Sequence, residues 1–306
     1  MSEAVETWLE IGGLVFHLLS DDGRLVPSAD PVAQPFFVDP RAADVELRAH
    51  WTDAALVPSG ELLFDGGTAW QLRRADGDFL FSFRSSSGDA LPYKAARFNA
   101  GFTDGDIDVC RSRFAALPSK QPVDPLEYPL DELLMIHLLA QGRGVEIHAC
   151  GLLDATGRAF VFAGQSGAGK STIGRLLSSL PGITMLSDER LVLRTDGDTV
   201  RVYGTPWHGD ALLVSPRSGA LAGVYFLGHA AVSRAVPVRA SLAAAQLLAR
   251  AFLPFHSRDA VQQTMAAVER TTAFAPCCDL WFAPDATVAD VLTRDTPGGV
   301  PRIVTG

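Results

Sequence analysis

A glycine-rich segment at residues 164–171, GQSGAGKS, has the residue type of a phosphate-binding loop at every fixed position. Its glycines let the backbone wind tightly enough for successive N–H groups to point at phosphate oxygens. Lys170 would reach the β- and γ-phosphates, and the Ser171 hydroxyl would bind Mg²⁺. The segment therefore predicts a nucleotide site that takes ATP and Mg²⁺. The residues expected to contact the nucleotide are Gly164, Ser166, Gly167, Ala168, Gly169, Lys170, Ser171 and Thr172.

Two acidic residues, Asp188 and Glu189, follow this loop closely in the sequence. A carboxylate beside a phosphate loop can hold the metal ion or accept a proton from an attacking hydroxyl. We predict that Asp188 and Lys170 are catalytic residues, with Asp188 in one of these two roles. Glu189 is predicted to join Ser171 as a ligand of Mg²⁺. The competing interpretation is an ordinary solvated pair of charges in a turn.

Polar and aromatic residues near the loop are further candidates. His148 lies shortly before the loop in a predicted strand, where a structural role competes with catalysis on position alone. The segment 203–210, YGTPWHGD, follows another predicted strand, and loops after strands often carry function. Thr205 and His208, together with Arg190, are predicted to contact the substrate. Trp207 can equally pack in the core of a rigid turn.

The elements around the loop read as strand, helix, strand. An apolar run over 159–163 leads into the loop, a helix is predicted over 171–180, and a strand over 183–186. We expect a right-handed crossover to place the second strand in parallel directly beside the first. Parallel neighbours end at the same edge of a sheet, so Asp188 and Glu189 would then lie near Lys170.

The first third of the chain has a different pattern. Short apolar or alternating runs are separated by turn signals such as DDG at 21–23 and DGD at 76–78, which favour tight hairpins. A proline-containing stretch at 117–125 marks a junction. We predict a β-rich accessory or recognition domain over residues 1–120, and an α/β P-loop catalytic domain over 121–306.

Composition excludes several classes of function. Acidic residues outnumber basic ones 35 to 26, which gives a net charge of −9 and argues against nucleic acid as a partner. No apolar run approaches the roughly 20 residues that cross a bilayer, and the first residues lack a secretory signal pattern, so we expect no membrane partner. The four cysteines lack metal-binding spacing, which is typical of free thiols in a reducing cytoplasm.

The order of these motifs resembles the HPr kinase/phosphorylase family and its relatives with a phosphoenolpyruvate carboxykinase-like fold. The resemblance rests on HACG at 148–151, the loop at 164–171, and SDER at 187–190. It implies an α/β P-loop kinase domain of that type, preceded by the β-rich region. It also implies that His148 is catalytic, that Asp188 accepts the proton of the hydroxyl that is phosphorylated, and that a GTPW segment borders the active site.

The sequence also departs from the HPr-directed enzymes. Thr172 stands where those enzymes have Glu, and the acidic pair is Asp-Glu instead of Asp-Asp. Their second signature has no good match, since VPVR at 236–239 is only weakly similar to it. The chain is more similar to stand-alone relatives with a PLDELL entry helix (129–134), which include kinases of lasso-peptide precursors. We expect transfer of the γ-phosphoryl group to a hydroxyl of a peptide, a protein or a small molecule. A nucleotide-binding regulator or ATPase module is the alternative, and GTP or pyrophosphate remains open as the donor.

Overall fold

The computed structural model describes residues 4–27, 31–67, 69–85, 91–118, 121–294 and 300–306. The chain forms two compact units, each described by itself below. The first comprises Met1–Glu10 and Leu14–Leu138, and the second comprises Ile11–Gly13 and Leu139–Gly306. The observed division thus falls after residue 138, whereas the boundary was predicted at residue 120. None of the described helices is both long and apolar enough to cross a membrane.

The first unit is built on one eight-stranded sheet with the strand order β1-β2-β3-β8-β7-β6-β5-β4. Its strands are β1 (Val5–Ile11), β2 (Leu14–Ser20), β3 (Val45–Thr52), β4 (Glu61–Asp65), β5 (Trp70–Ala75), β6 (Asp78–Phe83), β7 (Lys94–Phe98) and β8 (Asp104–Cys110), and they are followed by helix α1 (Leu130–Leu139). Strand β3 pairs in parallel with β2 and β8, while β4 to β8 form antiparallel pairs. Alternate residues of β7 and β8 are buried, as expected of strands with one face on a core.

The described residues of the second unit form a further eight strands and four helices. Its elements are β9 (Gly144–Leu153), β10 (Ala159–Ala163), α2 (Lys170–Ser178), β11 (Thr184–Ser187), β12 (Arg190–Asp196), β13 (Thr199–Tyr203), β14 (Ser218–His229), β15 (Arg234–Pro237), α3 (Ala240–Leu248), α4 (Arg258–Phe274), β16 (Cys277–Phe282) and α5 (Thr287–Thr293). The structure is therefore mixed α/β, with one large sheet in each unit.

The two longest strands of the second unit change partners along their length. The first half of β9 pairs with β12, and its second half pairs with β10 and β11, all antiparallel. Strand β14 begins antiparallel to β13, continues in parallel with β10, and ends in parallel with β16. Strand β10 is consequently central, with β9 on one side and β14 on the other.

Every residue of β10 is buried because both of its faces are covered. Successive side chains of a strand point to opposite faces, so Phe160 and Phe162 join a core with Ile173 of α2, whereas Val161 joins a second core with Ala267 of α4. The phosphate loop therefore follows a strand that is held by a neighbouring strand on each side and by a core on each face.

The predicted neighbour of β10 is wrong. Strand β11 pairs with β9 and not with β10, for example Thr184 with Leu153. Strand β9 is joined to β10 through a tight turn at 154–157, and this hairpin occupies the position that the crossover strand was expected to take. Strands β10 and β11 still run in the same direction, one strand apart, so both end near the same edge.

Candidate active site

The segment between β10 and α2 has the backbone of a phosphate-binding loop. Gly167 and Gly169 have φ angles of +79° and +96°, a region in which side chains with a Cβ are strained. A Cβ at Gly169 would also lie 2.7 Å from the Phe282 ring. The buried Lys170 Nζ donates to the carbonyl oxygens of Gly164 at 3.2 Å and Gln165 at 3.3 Å. The loop thus curls around the ammonium group of Lys170.

Helix α2 begins at Lys170 without a side-chain cap, since its N-cap residue is Gly169. The first amides of a helix have no acceptor within the helix, and its N-terminus carries a partial positive charge. Three positive features therefore lie at one point: amides without an acceptor in the helix, the positive end of the helix dipole, and the ammonium group of Lys170. This combination binds phosphate groups.

A pocket of about 830 Å³ opens at this point, which is within the usual size range of ligand pockets. Most of the predicted site residues meet there. The pocket is lined by His148, Ser166, Gly167, Gly169, Lys170, Ser171, Thr172, Glu189, His208, Gly209, Asp210 and Leu212. Gly164 and Ala168 belong to the loop without lining the pocket.

His148 and Glu189 are in contact at the pocket wall, with His148 Nδ1 3.1 Å from Glu189 Oε1. Their positions follow from the sheet, because His148 is the register partner of Arg190, the residue after Glu189. A tautomer with its proton on Nδ1, the nitrogen nearest Glu189, leaves Nε2 as an acceptor. A carboxylate that orients an imidazole in this way is an arrangement suited to general-base chemistry.

The electrostatics of the pocket favour a neutral His148. Burial lowers the pKa of His148 below its ordinary value of 6.5, and the charge of Lys170 lowers it further, while Glu189 opposes both effects. Burial likewise lowers the pKa of Lys170, against the attraction of Glu189. Arg250 adds a further positive charge that lowers both pKa values. Among the described residues that line the pocket, Lys170 therefore supplies the positive charge next to the phosphate loop, beside the carboxylates of Glu189 and Asp210.

Asp188, predicted as the proton acceptor, is not among the described residues that line this pocket. It is 1% exposed, and its two carboxylate oxygens accept the amide protons of Gly209 and Ala211, each at 3.0 Å. Its own amide donates to the carbonyl oxygen of Leu213 at 3.1 Å. Glu189 lines the pocket, whereas Asp188 holds the turn that follows Trp207. A Cβ at Gly209 would lie 3.0 Å from an Asp188 carboxylate oxygen and 3.2 Å from a Glu189 one, so the two carboxylates lie beside the same turn.

Two of the predicted substrate contacts also lie outside the pocket. The buried Thr205 hydroxyl donates to the carbonyl oxygen of Arg190 at 2.7 Å. The Arg190 side chain lies 3.8 Å from the buried carboxylate of Glu146 and stacks over Phe252. Trp207 is buried, as its core interpretation expects. Only His208 of the predicted substrate contacts lines the pocket among the described residues.

The structure adds residues that the sequence patterns did not indicate. Asp210 and Leu212 line the pocket, and His229, at the end of β14, lies with Nε2 2.9 Å from the carbonyl oxygen of Gly167. Arg250 lies beside β9, where its carbonyl oxygen accepts the amide proton of His148 at 2.8 Å. The YGTPWHGD segment was the available signal for Asp210. His229 and Arg250 come near the loop only through tertiary pairing, which no local pattern shows.

Residues of this pocket could supply some of the ligands of a metal ion. No group of three or more His, Cys, Asp or Glu side chains in the described ranges could hold a metal by itself. Mg²⁺ is usually bound through one or two protein oxygens together with phosphate oxygens and water. The Ser171 hydroxyl and the Glu189 carboxylate line the same pocket as the phosphate loop, so they fit that set of donors.

Comparisons with models of known protein families and with curated proteins found no match for this chain.

Proposed function

We propose that the chain is an ATP-dependent kinase that transfers the γ-phosphoryl group to a hydroxyl group. One observation carries the proposal: the phosphate loop and the His148–Glu189 pair open into a single pocket. The loop offers a place for the donor, and the pair offers a proton acceptor within the same space. The sequence resemblance to HPr kinase-like proteins supports the same reaction class.

The loop would hold the donor. Amides at the start of α2 and the ammonium group of Lys170 would bind the β- and γ-phosphates. Ser171 and Glu189 would hold Mg²⁺, which when bound neutralises charge on the phosphates. The fully buried strand β10 holds the start of the loop in place, which supports this role.

The His148–Glu189 pair would accept the proton. As the acceptor oxygen bonds to the γ-phosphorus, its proton moves to His148 Nε2 and the bond to the β,γ-bridging oxygen breaks, releasing ADP. Glu189 keeps the imidazole in the required orientation and stabilises the imidazolium ion that forms. Asp188 acts indirectly in this scheme, by holding the turn that carries His208 and Asp210.

The other proposals follow from the same site. The acceptor is a hydroxyl on a peptide, a protein or a small molecule, and the first unit is a candidate for recognising it. The four cysteines are free, which fits the reducing cytoplasm. A nucleotide-binding regulator or ATPase would use the same loop but would form no phosphorylated product.

The test uses ATP labelled at the γ-phosphate, Mg²⁺ and a cell extract. We expect label in a phosphoester, and we expect Lys170→Ala to abolish it. Arg175→Ala is a matched control, because Arg175 lies exposed on the same helix and does not line the pocket. Label in free phosphate alone would favour the ATPase and overturn the kinase.

A further inference from the structure

Leu212, at the pocket wall, has an unusual backbone conformation. Its φ angle is +53°, and in the described part of the chain only two other non-glycine residues, Asp76 and Phe102, have positive φ angles. The left-handed region is disfavoured for leucine because Cβ comes too close to the following carbonyl oxygen. Such strain persists only where the surroundings impose it, and it is concentrated at functional sites.

Buried contacts on both sides of Leu212 impose this conformation. The Leu212 amide donates to the carbonyl oxygen of Gly209 at 3.2 Å, and Asp188 accepts the amide protons of Gly209 and Ala211. Directly after Leu212, the Leu213 carbonyl accepts the Asp188 amide proton, and Val214 forms a bridge with Ser187. The turn 209–212 is thus fastened to the end of β11 on both sides.

The strain at Leu212 is not offset by burial in the core. Leu213 packs against the core that contains Ile173, whereas Leu212 is 56% exposed and lines the pocket. An exposed leucine held at a pocket wall against its backbone preference offers an apolar contact to a bound molecule. Polar residues also line this pocket, among them His208, Asp210 and Glu189.

We propose that Leu212 determines acceptor specificity by contacting an apolar group next to the hydroxyl that is phosphorylated, as in a peptide serine that follows or precedes a leucine. This inference rests on the proposed kinase function and narrows its acceptor class. The carboxylates of Asp210 and Glu189 would repel an acidic group at the same position, so they add selection against acidic neighbours.

The test uses short synthetic peptides with one serine flanked by leucine, alanine or aspartate, together with labelled ATP and Mg²⁺. We expect the leucine-flanked peptide to be phosphorylated about tenfold faster than the alanine-flanked one, as a small apolar contact discriminates by about that factor, and the aspartate-flanked peptide to be the slowest. Leu212→Ala should remove the preference for leucine over alanine, and the conservative Leu212→Met should retain it. Equal rates for all peptides, or no labelled peptide at all, would overturn the inference.

A stability measurement separates a role in recognition from a role in folding. Asparagine adopts positive φ angles more readily than leucine, and the Leu212 side chain is mostly exposed. Leu212→Asn should therefore keep the wild-type melting temperature while losing the preference for leucine. Leu213→Asn, at the half-buried neighbouring position that packs against the core, should lower the melting temperature. A Leu212→Asn variant that melts as early as Leu213→Asn would show that Leu212 is structural.

Failure of the inference and failure of the proposed function give different results. If peptide labelling requires Lys170 but does not depend on the residue next to the serine, the kinase proposal stands and the role of Leu212 is refuted. If the wild-type protein did not bind ATP, the proposed kinase function itself would be wrong.

Discussion

Replacing Asp188 by asparagine tests how the two adjacent acids divide their roles. In the structure the Asp188 carboxylate is buried and accepts amide protons from Gly209 and Ala211, while Glu189 faces the pocket. Asparagine keeps one acceptor oxygen but turns an NH₂ group toward an amide proton. Two buried donors then face one another without an acceptor.

The size of the effect follows from these bonds. An amide–carboxylate hydrogen bond contributes about 1.5–3 kcal/mol, and an unsatisfied buried donor costs about 1–3 kcal/mol. Because the turn can relax in part, we expect Asp188→Asn to lower the free energy of unfolding by about 2–4 kcal/mol. For a unit of this size each kcal/mol lowers the melting temperature by about 2–4 °C, so the expected loss is about 5–15 °C.

The assay compares Asp188→Asn with Glu189→Gln by thermal unfolding, ATP binding by calorimetry, and transfer from labelled ATP. Glu189→Gln should keep the melting temperature within about 2 °C and reduce transfer at least ~10²-fold, the lower end for general-base catalysis. Asp188→Asn should instead show its main loss in the melting temperature. If Asp188→Asn instead kept its stability and ATP binding but lost transfer, Asp188 would take part in the chemistry and the assignment of the base would be refuted.

Three further perturbations have distinct signatures. His148→Asn should reduce transfer at least ~10²-fold while ATP affinity stays within about threefold, measured by labelled transfer and calorimetry, and equal losses of both would contradict its role as the base. Asp154→Ala should lower the free energy of unfolding by about 2–4 kcal/mol in urea, because the buried carboxylate accepts bonds from Thr156, Arg158 and the Val304 amide; an unchanged midpoint would contradict this. Burial lowers the pKa of Lys94, so between that lowered pKa and 10.5 the unfolded chain binds more protons at this residue, and Lys94 contributes a rise of the free energy of unfolding with pH. Relative to Lys94→Met, the wild-type protein should therefore gain free energy of unfolding between about pH 8 and about pH 10 in urea titrations, and an identical pH dependence of the two proteins would contradict this.

The sequence predicted what local patterns determine. The GQSGAGKS loop, the helix after it and the apolar strand before it are all encoded within consecutive residues, and the structure contains each of them within two residues of its predicted bounds. The neighbour of β10 depended on a competition between a hairpin and a crossover. The turn at 154–157 was visible in the sequence, but its consequence for strand order was not.

Side-chain direction was the second limit. A pair of adjacent acids after a strand marks a site, yet the pattern does not tell which acid faces the pocket. The bonds that turn Asp188 inward come from Gly209 and Ala211, more than twenty residues later in the chain. The positive φ angle of Leu212 depends on the same contacts. Thr205 was predicted to contact the substrate, but the pattern did not show its side-chain direction. Its hydroxyl donates to the carbonyl oxygen of Arg190.

The most direct test of the central claim is where the γ-phosphate of ATP goes. The wild-type protein, incubated with γ-labelled ATP, Mg²⁺ and a serine peptide or cell extract, should place label in a phosphoester. Lys170→Ala and His148→Asn should abolish that label, and Arg175→Ala should not. Label found solely as free phosphate, or phosphoester formation that survives Lys170→Ala, would contradict a kinase site in this pocket.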